Sequence, residues 1–232
     1  MRALCIIPAR GGSKRIPRKN VRPLAGRPLL TWPLEQAIAA GIFAEIIVST
    51  EDAEIAEIAV AAGASVPFLR SAVTAGDHAS TTAVVEEVLA RCAENRVQAF
   101  DLICCLYPTA ALVRAEHLRT GYELLARESS LDSCLSVQAY RHPVERVLRV
   151  RAGRVAAADP AMIARRTQDL EPAFHDAGQF YWCRPEALAA NGCLLGQACA
   201  PILLSPWEAV DLDTEADWEW LERLVAGKAL AA

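Results

Sequence analysis

Short apolar runs alternate with amphipathic stretches along the first 140 residues. Residues 3–7 form an apolar run, the pattern of a strand covered on both faces. Residues 28–40 have helical spacing and end before Gly41. Residues 45–49 predict a second buried strand. Residues 52–62 place Ile55, Ile58 and Ala59 on one helical face, with Gly63 beyond the end. A short strand over 66–69 precedes an amphipathic helix over 81–92, whose Val84, Val85, Val88 and Leu89 share a side. Residues 101–106 predict a central strand, 114–127 a helix and 133–137 another strand. This order predicts an α/β fold with a mostly parallel sheet flanked by helices, its ligand crevice outside the carboxyl ends of the strands.

The pattern then changes. Residues 147–155 alternate around Ala152-Gly153, which predicts a β-hairpin. Residues 156–172 are polar and turn-rich, 180–183 return to strand, and 209–225 read as strand, Asp-Leu-Asp and helix. The expectation is a single domain over 1–232 with an inserted β-rich arm near 139–172.

Composition narrows the functional classes. The 232 residues are 53% hydrophobic and 22% charged, which supplies a full core and excludes a disordered chain. A net charge of −4 and a pI near 5.6 argue against a nucleic-acid partner. No stretch approaches the roughly 18 apolar residues of a membrane span, and the N-terminus lacks a signal-peptide pattern. Of eight cysteines, Cys5, Cys104, Cys105 and Cys134 lie in strand-like runs, and no C-x-x-C occurs. Reduced, buried thiols in a cytoplasmic protein are expected.

Against the global negative charge stands a local cationic segment. After the first strand come Gly11-Gly12 and five cations, Arg10, Lys14, Arg15, Arg18 and Lys19. A strand delivering such a loop suits a polyphosphate, because backbone N–H groups and cations replace its hydration. The loop matches neither the Walker A pattern nor G-x-G-x-x-G. Far along the chain, Asp211 and Asp213 stand two apart. Strand-like alternation puts both carboxylates on one face, a repulsive arrangement unless a cation such as Mg²⁺ lies between them. Asp213 also has a competing reading as a helix N-cap.

The run Ile-Pro-Ala-Arg-Gly-Gly-Ser-Lys-Arg-Ile-Pro-Arg-Lys-Asn (7–20) resembles the N-terminal signature of the CMP-sialic acid synthetase (acylneuraminate cytidylyltransferase) family. Further matches are Ile-Val-Ser-Thr-Glu-Asp (47–52), Pro-Phe-Leu-Arg (67–70), Asp77 with Ser80-Thr81, Tyr-Pro-Thr (107–109) and Asp-Leu-Asp-Thr (211–214). Arg166-Thr-Gln-Asp-Leu and His175-Asp-Ala-Gly-Gln-Phe-Tyr-Trp182 look most like its pseudaminic acid branch. Tyr107 and Ala177-Gly178 depart from the Gln and Asn-Gly of sialic acid enzymes.

The resemblance implies a Rossmann-like (GT-A-like) nucleotidyltransferase that joins CTP to an acidic nine-carbon sugar, releasing pyrophosphate. N-acetylneuraminate and 3-deoxy-octulosonate remain alternative sugars. It implies nucleotide binding by Ala9, Arg10, Gly11, Gly12, Ser13, Lys14, Lys19, Asn20, Arg70, Asp77, Ser80 and Thr81. Sugar contacts fall to Tyr107, Thr109, Arg166, Gln179 and Tyr181, with Gln179 and Tyr181 on one strand face. Asp211 and Asp213 hold Mg²⁺; Arg10, Lys19 and Asp211 carry catalysis. The arm implies a homodimer.

Overall fold

A computed structural model describes residues 1–76, 79–95 and 98–231. The chain runs β1 (Ala3–Pro8), β2 (Pro23–Leu24), β3 (Arg27–Pro28), α1 (Thr31–Ala40), β4 (Phe43–Ser49), α2 (Ala53–Ala61), α3 (Ala72–Ala75), α4 (Thr81–Glu94), β5 (Leu102–Leu106) and α5 (Ala115–Arg127). There follow β6 (Ser133–Ala139), β7 (Leu148–Arg151), β8 (Arg154–Ala157), α6 (Pro160–Ile163), β9 (Phe174–Cys183), α7 (Pro185–Asn191), β10 (Cys199–Leu204) and α8 (Glu215–Ala231). The main sheet has six strands in the order β10-β6-β9-β5-β1-β4. β4, β1 and β5 are parallel, as are β6 and β10; β9 runs antiparallel between β5 and β6.

The apolar strands take their central place by feeding two cores. Along β1, Ala3, Cys5 and Ile7 point into one core with Leu34 and Ala37 of α1 and Leu118 and Leu125 of α5. Leu4 and Ile6 point into the other with Val85 and Val88 of α4 and Leu188 of α7. A third cluster lies at the end of the molecule that carries the cationic loop. There Ile16, Leu24, Leu29 and Leu112 pack with Leu212 and with Trp218, Leu221 and Val225 of α8.

Several predicted elements shift. Arg27 and Pro28 pair with Leu24 and Pro23, so α1 starts at Thr31 rather than at 28. The expected strand at 66–69 does not form; the chain touches the sheet only at Ser65, bridged to Ile47. Residues 209–213 are not a strand either. Two strands are longer or new. β9 begins at Phe174 rather than 180, hidden in sequence by Asp176 and Gly178, which break its apolar pattern. β10 escapes prediction because Pro201 interrupts it; as an edge strand it tolerates a residue that cannot donate. The hairpin β7–β8 forms with Ala152-Gly153 at its tip, and its Leu148, Val150 and Val155 are exposed.

All eight cysteines are free thiols, six of them buried. Burial lifts the pKa of Cys134 and Cys183 to about 12, so they are protonated packing groups. Among the described residues, no helix is long and apolar enough to cross a membrane.

Candidate active site

The ends of β1, β4 and β5 open onto a cleft of about 640 Å³, lined by Arg10, Ser13, Lys14, Arg15, Lys19 and Asn20, by Arg70, Thr81, Tyr107 and Thr109, and by others. β1 delivers the cationic loop, and residues 49–52 at the end of β4 fix its first turn. The Ala9 N–H donates to the Ser49 carbonyl at 2.9 Å, and the Gly11 N–H to the Glu51 carboxylate at 2.7 Å. A Cβ on Gly11 would stand 2.4 Å from Asp52 Oδ2, so a larger residue there must displace the Asp52 side chain. Asp52 itself caps α2 by accepting from the Ile55 N–H at 3.1 Å, and it also accepts from the Arg18 guanidinium. Arg18 thus braces the loop against α2.

Asn20 is buried and donates to the Arg10 carbonyl at 2.9 Å; its side-chain oxygen is buried without a protein partner. A buried acceptor in that position invites a ligand hydroxyl or N–H. Arg70, also buried, donates from Nε to Ser49 Oγ at 3.1 Å and to the Ser49 carbonyl. Burial pulls its proton affinity down, yet an arginine stays charged. Ser80 does not line the cleft; its hydroxyl caps α4 by accepting from the Ala83 N–H at 3.1 Å. The neighbouring Thr81 does line it. Asp77 lies outside the described residues.

The acidic pair meets the cationic loop through the third core. Leu212 is fully buried in it, and so is Ile16 of the loop. Two segments from opposite ends of the chain are pinned to one cluster. The Lys19 ammonium donates to the Leu212 carbonyl, and Arg15 pairs with Asp213 at 2.6 Å. Partial burial lowers the Lys19 pKa, an effect that Asp213 opposes. Asp211 is pushed the other way: crowding by protein, then the charge of Asp213, holds its carboxyl above the ordinary carboxylate range.

The N-cap reading of Asp213 is replaced. Asp217 Oδ2 accepts from the Thr214 N–H at 2.7 Å, and Thr214 Oγ1 accepts from the Asp217 N–H at 3.3 Å. That reciprocal box starts α8 without the Asp213 carboxylate. No group of three His, Cys, Asp or Glu side chains suited to a metal occurs among the described residues. Two crowded carboxylates next to a glycine-rich cationic loop nevertheless fit Mg²⁺, a hard cation that takes one or two carboxylates and completes its shell with other oxygens and water.

The expected sugar residues disperse. Tyr107 and Thr109 line the cleft. Gln179 and Tyr181 do not act from one face. The Gln179 amide donates to the Glu208 carbonyl, whereas Tyr181 packs against the core under α4 and donates to Asp176. Arg166 stands in the arm, exposed, and forks onto Asp169 at 2.8 and 3.0 Å. Asp176, Glu51 and Leu212 lie inside the matched motifs, but their partners Tyr181, the Gly11 N–H and the third core emerge only in the structure.

Comparison with known proteins places this geometry. The model of the family described as Cytidylyltransferase matches residues 4–182. A pseudaminic acid cytidylyltransferase of Campylobacter jejuni is 36% identical over 97% of this chain and 96% of its own. A CMP-N,N'-diacetyllegionaminic acid synthase of Legionella pneumophila is 33% identical over 97% of both. Among solved structures, a CMP:2-keto-3-deoxy-manno-octonic acid synthetase complexed with CTP superposes with a TM-score of 0.72. It is 19% identical and covers 98% of this chain and 100% of that one.

Proposed function

Taking as premise that the chain belongs to the cytidylyltransferase family, we propose that it activates pseudaminic acid with CTP, giving the CMP-sugar and pyrophosphate. The observation that carries this reading is the meeting of two distant segments. Lys19 and Arg15 of the glycine-rich loop reach the backbone and carboxylate of the Asp211–Asp213 segment. A nucleoside triphosphate lying on the loop is thereby brought against an acidic pair.

In this reading the chain works by positioning and charge. Loop N–H groups with Arg10, Lys14 and Lys19 hold the triphosphate and stabilise the departing pyrophosphate. The buried Asn20 oxygen and Arg70 fix the nucleoside. The sugar's anomeric hydroxyl attacks the α-phosphorus opposite the leaving group. Asp211 and Asp213 would hold Mg²⁺, which supplies charge neutralisation at the phosphate oxygens. Arg166, exposed on the arm, would reach a sugar across a second copy, and the exposed Leu148, Val150 and Val155 support such a homodimer. Eight free thiols support a cytoplasmic setting.

The test is pyrophosphate release with CTP, UTP, ATP and GTP, each against pseudaminic acid, N,N'-diacetyllegionaminic acid, N-acetylneuraminate and 3-deoxy-octulosonate, with and without Mg²⁺. The expected result is turnover with CTP and Mg²⁺, fastest on pseudaminic acid. Absence of pyrophosphate with every sugar acid would overturn the reading.

A further inference from the structure

β9 is not a regular strand. Leu135 of β6 faces Tyr181, and Val137 faces Asp176, so a two-residue step on β6 spans five residues of β9. Gly178, at φ +64°, makes that bulge. Asp176 and Tyr181 are five apart and would point to opposite faces of a regular strand. The bulge reverses this, and the Tyr181 hydroxyl donates to Asp176 Oδ2. The other carboxylate oxygen accepts the Gly178 N–H at 2.8 Å.

From there a line of hydroxyls runs into the cleft. Tyr181 and Tyr107 pack with ring centroids 5.5 Å apart, and each hydroxyl influences the other's proton affinity. The Tyr107 and Thr81 hydroxyls lie 3.2 Å apart. A carboxylate only accepts, and a hydroxyl has one proton to give. With its proton committed to Asp176, the Tyr181 hydroxyl offers only lone pairs to its neighbour Tyr107; a Tyr107 proton turned toward them leaves Tyr107 to accept from Thr81. Burial raises both phenols above their ordinary range, so both keep their protons.

We propose that Asp176 is a positioning residue for the sugar acid. It orders Thr81, Tyr107 and Tyr181 in one direction, so that this wall of the cleft shows lone pairs and selects a sugar that presents N–H or O–H donors to it. The inference rests on the cytidylyltransferase reading above and adds the residue that sets the chemistry of its sugar side. A Cβ on Gly178 would stand 3.6 Å from Asp211 Oδ1, which places this bulge beside the acidic pair. Such a wall repels the sugar's own carboxylate and leaves it to the cations that line the same cleft.

Asp176→Asn separates direction from shape. The Gly178 N–H still requires an acceptor, so the amide oxygen takes that place and the amide N–H₂ faces Tyr181. The hydroxyl line then reverses and shows protons to the cleft. The experiment measures KM for pseudaminic acid, KM for CTP, kcat and Tm in wild type, Asp176→Asn and Tyr181→Phe. The expected result for Asp176→Asn is a sugar KM raised about tenfold, the scale of one neutral hydrogen bond, with KM for CTP and Tm unchanged. Tyr181→Phe should raise the sugar KM by a similar factor. A wild-type sugar KM in Asp176→Asn overturns the inference. So does a change confined to KM for CTP, or a joint rise of both KM values with a lowered Tm, which would mark Asp176 as a fold support. A wild-type enzyme inactive on every sugar acid would instead remove the functional reading, and this inference with it.

Discussion

Leu212→Ala is the sharpest probe of how the site is assembled. Leu212 is fully buried among Ile16, Leu24, Leu29, Trp218 and Leu221, and it stands between the two acids. Truncation removes three buried carbons, about 2.4 kcal/mol at about 0.8 kcal/mol each, before any cavity cost. Buried leucine truncations cost about 2–5 kcal/mol in all. Taking about 3 kcal/mol, and about 2–4 °C per kcal/mol for a chain of this size, Tm should fall by about 6–12 °C. The same change frees the backbone that carries Asp211, Asp213 and the carbonyl gripped by Lys19. Misplacing reacting groups by about an ångström costs as much as 100-fold in rate. The assay is thermal unfolding together with saturating turnover at 25 °C. Leu221→Ala is the companion: it lies in the same cluster, buried, one turn and more into α8. It should lose comparable Tm and keep kcat. Equal kcat in Leu212→Ala and Leu221→Ala would refute the claim that this cluster positions the acids.

Two further outcomes are expected. Asp211→Asn should abolish turnover yet stabilise the free protein at neutral pH. The folded state raises the Asp211 carboxyl pKa, so its stabilising effect is complete below the unfolded value of about 3.9 and is lost as pH climbs through the folded value. The Tm gain of the variant should therefore appear at pH 7 and vanish below about pH 4 in unfolding scans without Mg²⁺; a variant less stable than wild type at pH 7 would contradict the crowding. Gly11→Ala should push Asp52 from its place, loosening the α2 cap by about 1 kcal/mol and raising KM for CTP about tenfold. Unfolding scans and CTP titration check both, and an unchanged KM would show that the loop yields without cost.

The parallel half of the fold is legible because its strands are uninterrupted apolar runs. The loop is legible because Gly11-Gly12 and its cations stand out against an acidic chain. Asp211 and Asp213 are legible by spacing, although strand alternation is not what aligns them: they flank a buried leucine in a loop. Asp176 is hidden because its direction depends on a bulge pairing with β6, which local pattern does not encode. The Asp-Ala-Gly run is the available signal, since Gly178 supplies a positive φ. Glu51 is hidden because its partner, the Gly11 N–H, lies 40 residues away.

The reversed direction of β9 has a consequence for how such a molecule can change. The ends of β4, β1 and β5 carry the cationic loop and open onto the cleft. The arm leaves from the far end of β6 and returns at the start of β9, along the same rim. Lengthening, shortening or re-surfacing that excursion alters the rim beside the cleft, while the hydrogen bonds between the loop and residues 49–52 stay intact. The loop and the arm are thus separable stretches of chain, and exchanging the 139–172 segment between relatives should leave the loop's own hydrogen bonds as they are.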